Sequence, residues 1–237
     1  MFTTFIIQPI YNLFVAILGI MPGGDSGLAI IALTVLVRVV FYPLFTSSIR
    51  SQMAMQAVQP EIAKIKERYK DDSTAQARET AAVFVKHNIK PFSLIFSTIL
   101  QITIFIALSY VFFRLSPPTI HSDLLYSFVH APSVISAYFL GFIDVSALHS
   151  IILTILVAIT QYYAIRLSLD RTQQKLSTDA TPEQIASQKM QKIMMVWMLP
   201  IMSAVFTYTF PAAVGIYMVI TSIVSIIQEI VIKRNPL

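Results

Sequence analysis

LTVLVRVVFYPL, residues Leu33–Leu44, places one arginine, Arg38, inside a run that otherwise reads as the middle of a membrane span. No carboxylate lies within the run to neutralise it. A cation at the centre of a spanning helix costs about 2.5–3.5 kcal/mol on insertion scales. Something other than lipid must therefore solvate Arg38. Its neighbours Thr34 and Tyr42 stand four residues away on either side, which on one continuous helix puts all three on one face.

The surrounding chain supports a membrane reading. Of its 237 residues, 56% are hydrophobic and only 12% charged, with a mean hydropathy of +0.71. Soluble domains run near 45–50% apolar and about 25% charged. The apolar runs are long and continuous, which excludes the short alternating segments of a barrel. The class is an all-α polytopic membrane protein. There are no cysteines, so disulfides and thiolate metal sites are excluded.

A spanning helix needs about 20 apolar residues. On that measure five spans are predicted, over residues 28–48, 92–114, 147–168, 191–209 and 212–232. Phe210-Pro211 separates the last two, because proline cannot continue the helix ladder. Residues 1–20 form an amphipathic helix lying in the membrane interface. Its apolar face holds Phe5, Ile10, Phe14 and Ile17, and its polar face holds Gln8, Tyr11 and Asn12. A sixth span is the alternative for this segment, whose length permits it. No Lys or Arg precedes Arg38, so residues 1–20 lack the basic region of a secretory signal.

Residues 49–90 make a two-helix hairpin. Val58, Ile62, Ile65 and Tyr69 mark the packed face of its first helix, and Ala77, Ala81 and Phe84 that of its second. Ser73, with Gln76 three residues on, is the predicted N-cap between them. Eight of the 17 Lys and Arg residues lie in this hairpin, five around the loop 166–192, and Lys233 and Arg234 near the end. The positive-inside rule then makes 49–90, 169–190 and the C-terminus cytoplasmic. The N-terminus and the loop 116–146 face outward, which an odd number of spans requires.

Polar stripes recur in the other spans at helical spacing: Ser93, Ser97 and Gln101; Thr154, Ala158 and Gln161; Ser203 and Thr207; Tyr217, Thr221 and Ser225. Any one stripe is read first as helix packing, where Ser and Thr are common. If the faces converge, they enclose a polar cavity beside Arg38. Glu229 is the only acid within a span and sits about 9 Å from the Arg38 level at 1.5 Å per residue, too far for a direct pair. Water in a cavity open to one side is the expected solvent. No nucleophile–base pair, HExxH, phosphate loop or GxGxxG is present, so the chain is read as non-enzymatic and cofactor-free.

Three blocks together resemble the YidC/Oxa/Alb family of membrane protein insertases. They are VRVVFYPL with QAVQPEIAKIKERYKDD, then QITIFIALSYVF, then QKIMMVWMLPIMSAVFTYTFPAAVGIYMVITSIVSIIQE. The resemblance implies a five-span core around a hydrophilic groove, open to cytoplasm and lipid and closed outside, in a bacterial plasma membrane. It matches Arg38 to the groove arginine, and Thr34 and Tyr217 to positions lining the path of a client segment. Tyr42, Ser97, Gln101, Gln161 and Thr221 complete the expected groove set. The expected clients are nascent membrane proteins, with ribosome, targeting factor or Sec translocon meeting 49–90 and 169–190. Two alternatives stay open on the residues alone: a small-anion transporter or channel using Arg38, and a structural membrane subunit.

Overall fold

A computed structural model describes residues 3–114, 120–170, 190 and 193–234. The chain is helical almost throughout. The helices are α1 Gln8–Ile20, α2 Ser26–Val40, α3 Tyr42–Ala57, α4 Gln59–Arg68, α5 Ser73–Lys86, α6 Pro91–Arg114, α7 Ile151–Asp170, α8 Leu199–Thr209 and α9 Ala212–Arg234. A π-helical turn, Met194–Met198, leads into α8. The loop between α6 and α7 carries a two-stranded antiparallel hairpin, β1 Tyr138–Phe139 and β2 Ile143–Asp144.

The run around Arg38 is not one straight helix. The α-helix ends at Val40, Phe41 leaves helical geometry, and α3 starts with Pro43 in its first turn. The two helices are bent by 72°. Proline is well placed there, since a first-turn N–H has no intrahelical partner to lose. The single span predicted over 28–48 is therefore a bent pair, and Arg38 lies in the last turn of α2 rather than mid-helix. By length and composition, Ile151–Ser168 and Ala212–Ile232 can each cross a membrane, and the α2–α3 and α5–α6 pairs pass only as bent units. Met194–Thr209 is a shorter apolar helix. Large apolar side chains stay exposed along α6, α7, α8 and the π-helical turn before it, among them Ile99, Ile155, Met202 and Trp197. Such surfaces suit lipid and not water.

The core gathers at one end of the molecule. Tyr11, Phe14 and Leu18 of α1 pack with Ala29, Ile30 and Leu33 of α2, Ile104 of α6, Leu153 of α7 and Ala212, Ala213, Ile216 and Tyr217 of α9. Val145, just after β2, joins them. The first turn of α9 has N–H groups without intrahelical partners. Ala212 N–H donates to the Ala147 carbonyl and Ala213 N–H to the Val145 carbonyl, at 2.9 and 2.8 Å. The loop thus seals this helix end. Asp25 does the same for α2: it accepts from Leu28 N–H at 2.9 Å and also from Leu140 N–H at 2.6 Å. At Gly24, whose φ is +64°, a Cβ would land on the Val134 carbonyl.

The N-terminal helix buries two residues of its predicted polar face together with Phe14, Ile17 and Leu18 of its apolar face. Tyr11 and Asn12 are buried, while Phe5, Leu13 and Ile20 are exposed. The loop supplies the reason. Asn12 donates to the Leu124 carbonyl at 2.8 Å and accepts from Tyr126 N–H at 2.7 Å, and His121 N–H donates to the Tyr11 hydroxyl at 3.0 Å. Burial pushes the Tyr11 phenol up from its ordinary pKa, partly offset by that hydrogen bond.

At the other end α4 and α5 pair around a small core of Val58, Ile62, Val83 and Ile89. The predicted face of α4 packs as expected. On α5 the face is shifted: Ala77 and Ala81 are exposed and Val83 is buried. The N-cap is Asp72, not Ser73; its carboxylate accepts from Thr74 N–H at 3.1 Å and Ala75 N–H at 2.9 Å. A carboxylate outcompetes a hydroxyl here because it also meets the positive end of the helix dipole.

Candidate functional site

Beneath the apolar core the character of the interior changes. Leu33, Ile104 and Tyr217 form the last apolar layer, and Thr34, Arg38, Gln101 and Thr221 line the space below it with Val37 and Phe45. Three helices deliver the polar groups, α2, α6 and α9, and α3 delivers the phenylalanine.

Arg38 is only 8% exposed. Its Nη2 donates to the Gln101 side-chain carbonyl at 3.3 Å. The Gln101 amide in turn donates to the Tyr217 hydroxyl. The guanidinium carbon lies 4.2 Å from the centre of the Phe45 ring, within cation–π range. The last turn of α2 adds the partial negative charge of a helix C-terminus. Among the described residues Arg38 forms no ion pair with a carboxylate. Among the described residues the guanidinium is held by neutral side chains, Gln101 and Phe45. Removing it from water without a counterion strengthens its field, since the local dielectric is low.

Thr34 is buried and donates to the Ile30 carbonyl of its own helix at 2.7 Å. Of the residues expected to share this site, Thr34, Arg38, Gln101, Tyr217 and Thr221 come together. Tyr42 does not. The break at Phe41 turns it off the Arg38 face, and it is 42% exposed. Ser97 lies on a separate seam between α3 and α6. There its hydroxyl meets that of Ser48 at 2.7 Å, and Ser93 donates to Ser51 at 3.3 Å. Gln161 is partly buried on α7, away from the cavity lining. The hydroxyl stripes of α7 and α8 serve packing: Thr154 donates to the Ser150 carbonyl and Thr207 to the Ser203 carbonyl, both at 2.8 Å. Residues 171–189 of the predicted second cytoplasmic contact region lie outside the described residues.

Phe45 is the site residue that sequence reading missed. Seven residues from Arg38, it would stand about 10 Å further along a straight helix. Only the bend brings its ring beneath the guanidinium. The proline at 43 is the sequence signal that marks the break.

Comparison with known proteins adds an independent line. The family profile described as 60Kd inner membrane protein matches residues 19–236. The membrane protein insertase MisCA of Bacillus subtilis is 33% identical over 223 residues, covering 90% of this chain and 74% of that protein. The membrane protein insertase YidC 2 of Bacillus anthracis is 32% identical over 215 residues, covering 89% and 73%. The membrane protein insertase YidC of Oceanobacillus iheyensis is 30% identical over 237 residues, covering 98% and 83%.

Proposed function

From the premise that the chain belongs to the 60Kd inner membrane protein family, whose bacterial relatives are membrane protein insertases, we propose how this insertase works. Its substrates are nascent membrane proteins and its medium is the bacterial membrane. Five crossings, corresponding to α2 with its bent continuation, α6, α7, the Met194–Thr209 segment and α9, surround a hydrophilic groove. The groove is closed on the outer side by the packed core and open toward cytoplasm and lipid. The observation that carries this reading is a buried arginine that has no counterion among the described residues, ringed by Thr34, Gln101, Tyr217 and Thr221 beneath an apolar seal.

The polar, acidic outward-going segment of a client enters the groove from the cytoplasm. Arg38 draws carboxylates by its uncompensated charge and lowers their desolvation cost. Gln101 and Tyr217 exchange their mutual hydrogen bonds for bonds to the client. The client's apolar helix leaves sideways, driven by burial of its own apolar surface in lipid. No covalent bond is made or broken. The basic α4–α5 hairpin, with a net charge of +3 over residues 49–90, is a contact region for ribosome, targeting factor, Sec translocon or anionic lipid.

Reconstitution tests this. The purified chain in liposomes should insert a single-span client with an acidic tail, and Arg38→Ala should weaken insertion in proportion to the number of acids in the tail. Photo-crosslinkers at positions 34 and 217 should trap the client in transit. Failure of both positions to trap any client would overturn the groove. Small-anion flux without a client would favour a transporter instead.

A further inference from the structure

The elbow between α2 and α3 has a consequence for which clients are recognised. A cation buried in a membrane protein ordinarily meets a carboxylate. A carboxylate on Arg38 would satisfy it but would also cancel the charge that an acidic client needs. An aromatic face solves both requirements, because the ring quadrupole attracts a cation and carries no net charge. Phe45 is 5% exposed, its ring centre lies 4.2 Å from the guanidinium carbon, and it lines the same space as Thr34, Gln101 and Tyr217. It reaches that place only across the 72° bend at Phe41. Ring contact also occupies the face of the guanidinium and leaves N–H groups on its edge for a bidentate carboxylate.

We propose that Phe45 is a positioning residue for acidic-client recognition: it seats the Arg38 guanidinium within the groove without neutralising it. The inference rests on the groove reading above. Without the ring, the long arginine side chain is free to snorkel toward the cytoplasmic interface and away from the client path.

The test compares insertion of two clients that differ only in tail, one acidic and one neutral, in proteoliposomes. Wild type should favour the acidic tail. Phe45→Leu and the bulk-keeping Phe45→Met should lower that preference about three- to tenfold, the range a partly desolvated cation–π contact supports. Phe45→Tyr and Phe45→Trp should keep it. Folding is controlled separately, by the thermal transition of each detergent-solubilised variant. Phe45→Glu should abolish the preference, as Arg38→Gln should, by placing a carboxylate beside the guanidinium. A second readout is independent of insertion. The chain has one tryptophan, Trp197, so Phe45→Trp combined with Trp197→Phe leaves a single indole at the seat. Its emission should shift when Arg38→Gln is added.

An unchanged preference in Arg38→Gln would sink the groove reading itself. A lost preference in Arg38→Gln with a wild-type preference in Phe45→Leu and Phe45→Met would sink the seat alone. A wild-type preference in Phe45→Glu, or an indole spectrum indifferent to Arg38, would also overturn it.

Discussion

Gln101 is the residue on which the polar site depends structurally. Its carbonyl takes the Arg38 donor and its amide serves Tyr217, so a single side chain joins α2, α6 and α9. Gln101→Leu would leave a buried guanidinium donor without its acceptor and the Tyr217 hydroxyl with its 3.5 Å contact to the backbone carbonyl of position 101. The expected cost is about 1–3 kcal/mol, read as an earlier thermal transition of the detergent-solubilised protein. Tyr217→Phe removes one hydroxyl and keeps the ring, so about 0.5–1.5 kcal/mol is expected. Equal stability of Gln101→Leu and wild type would mean that the chain of bonds is not formed in the membrane. Much of this site was readable beforehand. An arginine in an apolar run demands solvation, and helical spacing carried Thr34, Gln101, Tyr217 and Thr221 to it. Tyr42 was extrapolated along a helix that ends at Val40. Phe45 left no pattern of its own, because its role arises from a bend angle and not from a periodicity.

At the scale of elements, the loop between α6 and α7 ties several helices together. It bonds Tyr11 and Asn12, caps α9 and meets α2 through Asp25. Tyr11 and Asn12 are assigned to the polar face in sequence because a polar stripe on a short helix normally faces out. The loop's backbone supplies the donors and acceptors that reverse it, and backbone groups leave no trace in side-chain patterning. Asp25→Ala should therefore disturb two elements at once. It removes the α2 N-cap and the acceptor of Leu140 N–H, the latter in a residue held at φ +50°. A loss of about 2–4 kcal/mol is expected, with faster hydrogen exchange across residues 134–140. Exchange confined to the start of α2 would show that the loop is held by other contacts. The α4–α5 hairpin depends on pH instead. The Lys86 hydrogen bond, with a further contribution from His87, holds the Glu61 carboxyl below the usual glutamate range despite slight desolvation. A depressed carboxylate pKa stabilises the hairpin at and above the ordinary value, about 4.3, and that contribution fades as pH falls through the lower folded value. Spin-label distances between α4 and α5 should hold from pH 7 to 5 and broaden only in stronger acid. Glu61→Gln should remove the pH response.

For the molecule as a whole, the governing feature is an asymmetry between its two ends. Apolar packing concentrates where α1, the loop and the first turns of α2, α7 and α9 meet. α9 is buried all round at Ala212–Val214, while further along it exposes Ile223, Ile227 and Ile230 on one face and keeps Ser222, Gln228, Glu229 and Ile232 buried on the other. In the groove reading, a seal at one end leaves entry to the polar interior from the other. The charge distribution is as one-sided in sequence: fifteen of the 17 Lys and Arg residues fall in 49–90, around 166–192 and at 233–234. If that polarity is oriented by the positive-inside rule, the seal faces outward and the hairpin faces the cytoplasm. The absence of cysteine makes this directly measurable. Ser133→Cys, in the exposed part of the sealed loop, should react with a membrane-impermeant maleimide in spheroplasts. Ser73→Cys, exposed at the hairpin, should react only in inverted vesicles. The opposite pattern would put the open end of the groove outside, where no nascent chain could reach it, and would overturn the direction of insertion while leaving the fold untouched.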